Sequence, residues 1–143
     1  MSEGSMDKVR KEENIEPLPI QVAYGAIARL DADALVGLCD PEVRFESRIT
    51  AVEDAVYQGH EGVRRYISNL AEAFEWIEVE TSDVVADRDR AAITNRFRAR
   101  GRGSGVQVEE RFFVGAKGRQ GRLLWWGMFD SRSEALQAAD LAE

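Results

Sequence analysis

From Trp76 to Asp130 the chain reads almost without interruption as strand, broken only at short tips. The segments near Ile77–Val85, Ala91–Arg100, Val106–Ala116 and Leu123–Phe129 are separated by Asp87–Asp89, by Gly101-Arg-Gly-Ser-Gly105 and by Lys117-Gly-Arg-Gln-Gly121. Tips this short connect antiparallel neighbours, since a parallel crossover needs about a dozen residues or more. The chain is therefore committed to a long meander, and a meander must bury one of its faces.

The cover for that face lies upstream. Val63, Tyr66, Ile67, Leu70, Ala71 and Phe74 follow helical spacing and make one wide apolar stripe, with Arg64, Arg65, Asn69 and Glu72 off it. Ile20, Tyr24, Ile27 and Leu30 mark an earlier helix, introduced by Pro17 and Pro19. Asp31 and Asp33 break that helix and cap a short second one through Leu35 and Leu38, which Asp40-Pro41 ends. Val43, Phe45, Ser47 and Ile49 alternate with Arg44, Glu46 and Arg48 as a half-buried strand, and Thr50–Gly59 reads as a loop. Ser131-x-x-Glu134 opens a short C-terminal helix. The expected fold is α+β: a cone-shaped, curved, antiparallel or mixed sheet wrapped around three N-terminal helices, with a short C-terminal helix. Residues 1–16 are charged and poor in large apolar groups, and read as a mobile tail; residues 17–143 form one domain. A sheet curled around a helix leaves space at its concave face, which predicts a small-molecule pocket.

Composition narrows the function. No apolar run approaches the roughly 20 residues of a membrane span, and the N-terminus lacks a signal-peptide core, so the expected location is the cytoplasm. Cys39 and His60 are the only Cys and His, which excludes an internal disulfide and a Cys/His zinc site within one chain. No metal and no organic cofactor is expected. A net charge of −7 argues against nucleic acid and anionic membrane surfaces as partners.

Four stretches give the chain a family resemblance. They are Tyr24 to Leu38, Asp40-Pro-Glu-Val-Arg-Phe45, Tyr57-Gln-Gly-His-Glu-Gly-Val-Arg-Arg-Tyr-Ile67, and Gly121-Arg-Leu-Leu through Leu136. In order and spacing they resemble the nuclear-transport-factor-2-like superfamily, and within it the SnoaL-like bacterial proteins, over residues of about 18 to 139. The resemblance implies a cone fold, a deep apolar pocket and frequent homodimers, among isomerases, cyclases, dehydratases, epoxide hydrolases and non-catalytic binders. It also implies departures. The steroid-isomerase branch carries its base on strand one, at the position of Phe45, and the cyclase branch carries an acid on the last strand, at the position of Met128. Neither side chain can take a proton.

Strand alternation assigns side chains to the cavity. Leu124, Trp126 and Met128 share the inward face of the last strand, and Ile93, Asn95, Phe97 and Ala99 that of an earlier one. Asn95 is the polar member and requires a partner, either a ligand or backbone at a bulge. Glu109 and Arg111 share a face with Gln107 and Phe113. Turned inward, Glu109 is a candidate general base with Arg111 as a ligand contact. Turned outward, both belong to solvent-side ion pairs, as the apolar company of Val108, Phe112 and Val114 on the other face suggests. Tyr24 and Tyr57 supply hydroxyls, and Phe45, Phe97 and Trp126 an aromatic wall. His60 stands at a helix start as a cap or packed residue, with catalysis the lesser reading; Glu46 reaches the cavity only after a register slip, and Glu53 and Asp54 are loop charges.

Arg96, Arg98, Arg100 and Arg102 alternate opposite Glu78 and Glu80, a pattern of cross-strand pairing on the outer face. Trp125 and Phe129 on that face suggest a homodimer through it. The residues thus point to a pocket for a small apolar molecule, with two functional readings: a cofactor-independent isomerase, cyclase or hydratase that uses proton transfer, with Glu109 and Tyr24 as its catalytic groups, or a ligand-binding module without chemistry.

Overall fold

The computed structural model describes residues 18–47 and 56–142. The tail expected over 1–16, Ile49, and the loop charges Glu53 and Asp54 lie outside the described residues. The elements run α1 (Ile20–Ala28), α2 (Ala32–Gly37), β1 (Cys39–Glu46), β2 (Val56–Gln58), α3 (Gly59–Ala73), β3 (Phe74–Asp87), β4 (Arg90–Gly101), β5 (Gln107–Arg119), β6 (Arg122–Phe129) and α4 (Arg132–Ala138). The six strands form one sheet in the order β2-β1-β6-β5-β4-β3. β3 to β6 are the antiparallel meander that the short tips require. β1 lies parallel to β6, so the sheet is mixed.

Local chemistry sets the boundaries. The Asp31 carboxylate accepts from the Ala34 N–H at 3.0 Å and starts α2. Ser131 Oγ accepts from the Glu134 N–H at 3.1 Å, and Glu134 accepts in return from the Asp130 N–H. α3 stops one residue before Phe74, which starts β3 yet stays buried, so the last member of the apolar stripe serves the core from a strand. The Gly-rich tip has a role in that stop. Arg102 donates from Nε to the Ala71 carbonyl at 3.0 Å and from its guanidinium end to the Phe74 carbonyl at 3.1 Å, satisfying carbonyls at the end of α3.

Two expectations change. Within the expected loop, Val56–Gln58 forms β2, antiparallel to β1, with Tyr57 opposite Phe45. A shift in the β5–β6 register after Lys117 turns Leu123, rather than Leu124, into the buried interior.

The concave face packs against α1 to α3 in one apolar core. The convex face divides in two. One part is an ion-pair ladder: Arg98 reaches Glu78 at 3.3 Å, Arg96 reaches Glu80 at 3.5 Å, and Glu109 lies 3.4 Å from Arg96. The other part is covered by α4, whose Ala135 and Leu136 pack with Ala92, Phe113 and Phe129. Gly115 permits that contact, since a Cβ there would stand 2.9 Å from the Ala135 carbonyl oxygen. Phe129 is therefore not the bare aromatic that suggested a dimer through this face.

Candidate functional site

β1, β2, α3 and β6 converge on a block of stacked and edge-on rings. Phe45 is fully buried, stacked on Trp126 at 4.1 Å and on Tyr57 at 4.9 Å, with Tyr66 edge-on at 4.7 Å. The Tyr57 hydroxyl accepts from the Asn69 amide at 3.0 Å, and Arg65 sits over its ring. Phe45 and Tyr57, both expected as ligand contacts, are thus the solid wall behind Trp126.

In front of that wall the interior is not filled. One hollow is lined by Ile20, Ala23 and Ile27 of α1 and by Ile93, Val114, Ala116, Leu123 and Trp126 of the sheet, with Tyr24 at its side. A second, lined by Tyr66, Val79, Asn95, Phe97, Phe112 and Met128, shares Tyr24, Ile27 and Val114 with the first. Tyr24 is therefore the one polar side chain that lines both. Each leaves about 20 Å³ for the centre of a water-sized sphere. That is room for one or two waters, well short of the roughly 300–1,000 Å³ of a formed ligand pocket. Where the resemblance implies a deep pocket, the described residues enclose two small hollows with Tyr24 in the lining of both.

The polar groups gather on one side. Asn95 is 3% exposed and its amide oxygen accepts from Thr81 Oγ1 at 2.8 Å. The same amide is hydrogen-bonded to the Tyr24 hydroxyl. A bulge does lie beside this pair, between Thr81 and Asp83 of β3, but the Asn95 amide oxygen is met by the side chain of Thr81, its direct cross-strand partner. Burial pushes the Tyr24 hydroxyl up to about 12, against the opposing effect of Asn95. Burial also raises Tyr66, with Tyr24 nearby adding to the rise and a hydrogen bond to Ser47 opposing it. Both phenols stay protonated at neutral pH and are hydrogen-bond donors there.

Of the expected site residues, the fold brings Tyr24, Asn95, Phe97, Trp126 and Met128 to the hollows. It does not bring Glu109 or Arg111. Glu109 is 55% exposed at its side chain and lies between Arg96 and Arg98 on the convex face, so the reading of it as an interior base is corrected. Arg111 points the same way and is exposed. Val108, Phe112 and Val114 take the concave positions instead. His60 donates to the Cys39 carbonyl at 2.9 Å, a structural tie between α3 and β1. Sequence reasoning missed Tyr66, Thr81 and Ser47 as polar lining or support; Tyr66 was hidden in the α3 stripe, where helical period reports the ring and not its hydroxyl. Among the described residues no cluster of three or more His, Cys, Asp or Glu is arranged to hold a metal.

A family model for the SnoaL-like domain matches residues 20–129, and the chain belongs to that family. Solved structures share its fold. A hypothetical protein with a ketosteroid isomerase-like fold from Catenulispora acidiphila, in complex with trimethylamine, superposes with a TM-score of 0.70 at 14% identity, covering 87% of this chain and 95% of that one. TerC, co-crystallised with polyporic acid, gives 0.67 at 12% identity over 84% and 93%. RV0760c from Mycobacterium tuberculosis, in complex with estradiol-17beta-hemisuccinate, gives 0.65 at 14% identity over 78% and 89%. Among curated proteins none matches. At these identities the likeness is one of fold.

Proposed function

We propose that the protein binds one small, largely apolar molecule with a single hydrogen-bonding group, in the interior on either side of Tyr24. The observation that carries this reading is the pair of hollows sharing Tyr24, apolar except along the edge formed by Tyr24, Tyr66 and Asn95. A guest would displace the Tyr24 ring from its hydrogen bond with Asn95, join the two hollows, and take over the freed amide. The apolar wall supplies affinity and the polar edge supplies orientation. Relatives of the same fold crystallised with trimethylamine, polyporic acid and estradiol-17beta-hemisuccinate support a guest in such an interior.

Proton-transfer catalysis of the isomerase, cyclase or hydratase kind is the second reading. Its support is the two protonated phenols, which could polarise a carbonyl. The described residues lining the hollows include no carboxylate or imidazole to serve as its base, so binding is the stronger reading. The test is calorimetric titration with 2-naphthol, an apolar bicycle with one hydroxyl. Tyr24→Ala, which removes the partition, is expected to bind it more tightly than the wild type. Equal absence of binding in both proteins would overturn the proposal.

A further inference from the structure

α1 supplies side chains to both hollows, yet little in its own sequence holds it as a helix. Its nine residues, Ile20-Gln-Val-Ala-Tyr-Gly-Ala-Ile-Ala28, include no charge, three β-branched side chains and Gly25 at mid-length. Pro19 before it gives no side-chain cap. A helix this short depends on tertiary packing. Under α1 that packing is incomplete, because Ile20, Ala23 and Ile27 border the first hollow rather than close-packed neighbours.

α2, next in the chain, is held firmly. Asp31 caps it, Leu35 is fully buried, and Asp33 accepts from Arg64 of α3 at 2.7 Å. Between the two helices stands Leu30 at φ 56°. Its N–H reaches the Ile27 carbonyl at 3.0 Å, and the Asp31 N–H reaches that of Ala26 at 2.9 Å. Such a helix end ordinarily has glycine where Leu30 stands. A leucine in the left-handed region is strained, so this turn opens at less cost than an unstrained one. At the other end of α1, Leu18 is buried over Gly118 of β5, where any Cβ would collide with it. Of the residues that line the hollows, Ile20, Tyr24 and Val79 are half-buried and the rest are buried. All three lie on α1 or β3, two elements that pack against each other.

We propose that α1 is the gate to this interior: it swings off β3 about the turn at Leu30, Leu18 leaves Gly118, and the guest enters along the seam between α1 and β3. The gate rests on the binding reading above. Opening breaks the hydrogen bond between Tyr24 and Asn95, the same bond that the guest displaces, so entry and seating are one motion. A gate that is closed in both the free and the loaded protein sets how fast a guest comes and goes, and not how tightly it is held.

Native-state hydrogen exchange, and stopped-flow fluorescence with 2-naphthol, test the gate on the full chain. In the free protein the amides of α1 are expected to exchange roughly a hundredfold or more faster than those of β4 and β5, through an opening that leaves the sheet intact. Gly25→Ala adds helix propensity at a residue that lines neither hollow, where the new methyl would stand 3.3 Å from the far end of the Arg29 side chain. It should slow α1 exchange about fivefold, and slow association and dissociation of 2-naphthol by the same factor, with Kd unchanged. Leu18→Ala loosens the latch and should raise all three rates about tenfold or more. Amides of α1 as protected as those of β4 and β5, or wild-type rates in Gly25→Ala with binding intact, would overturn the gate and leave the binding reading standing. Absence of 2-naphthol binding would overturn that reading and the gate with it.

Discussion

Two regions of one interior meet at Trp126 and are packed by different means. On the β1 side, Phe45 is held between two parallel rings with a third edge-on. On the α1 side, Tyr24 lines two hollows together with Ile27 and Val114, and Ala23 and Ala116 complete the lining of one of them. Flat rings fill space by stacking face to face. One ring among alanines and branched aliphatics has no complementary surface, so van der Waals contact is lost along its flanks. The difference separates the part of the core that sets the fold from the part that can admit a guest.

Substitutions can break or sharpen that contrast. The largest effect is expected for Phe45→Ala, which removes a ring from the filled block and should destabilise by about 3–5 kcal/mol in urea unfolding. Tyr24→Ala should cost less, because its surroundings are already incomplete, and it alone of the two should gain affinity for 2-naphthol. Equal losses of stability with no gain in binding would remove the distinction between the regions. Tyr24→Phe keeps the ring and deletes the bond to Asn95, for a loss of about 1 kcal/mol.

The same variant has a pH signature. Tyr24 binds its proton more tightly in the folded protein, with its ordinary value of 10.0 raised to about 12. Its contribution is therefore fully present below pH 10 and is lost as pH rises toward 12, where the unfolded chain releases the proton first. Alkaline unfolding curves of Tyr24→Phe should be flatter over that window than those of the wild type. The smallest effect is expected outside the interior. Glu109→Gln should change stability by no more than about 0.5 kcal/mol, as exposed pairs do, and should leave 2-naphthol binding unchanged.

Much of this was legible in the sequence. Strand alternation over Ala91–Arg100 placed Asn95 and Phe97 inward and the arginines outward, and the Glu–Arg ladder follows from it. The orientation of Glu109 was open on residue type alone but is decided by its neighbours, since Phe112 and Val114 claim the concave face. Three features were not legible. β2 is only three residues, too short for a period to emerge from Val56-Tyr-Gln58. The inward turn of Leu123 depends on a bulge, which adds a residue without changing composition. The size of the hollows depends on how facing surfaces fit, and alternation reports which residues face one another but not whether they touch.

The central claim is that the interior beside Tyr24 opens to a guest while the ring block behind Trp126 stays closed. Methyl-detected NMR of the wild-type protein during titration with 2-naphthol tests it most directly. The account predicts saturable shifts at Ile27, Val114 and Met128, which border the hollows, with Val43 and Val63 of the filled core unmoved. Shifts confined to exposed methyls such as Val22 and Val106, with those three unchanged, would contradict it.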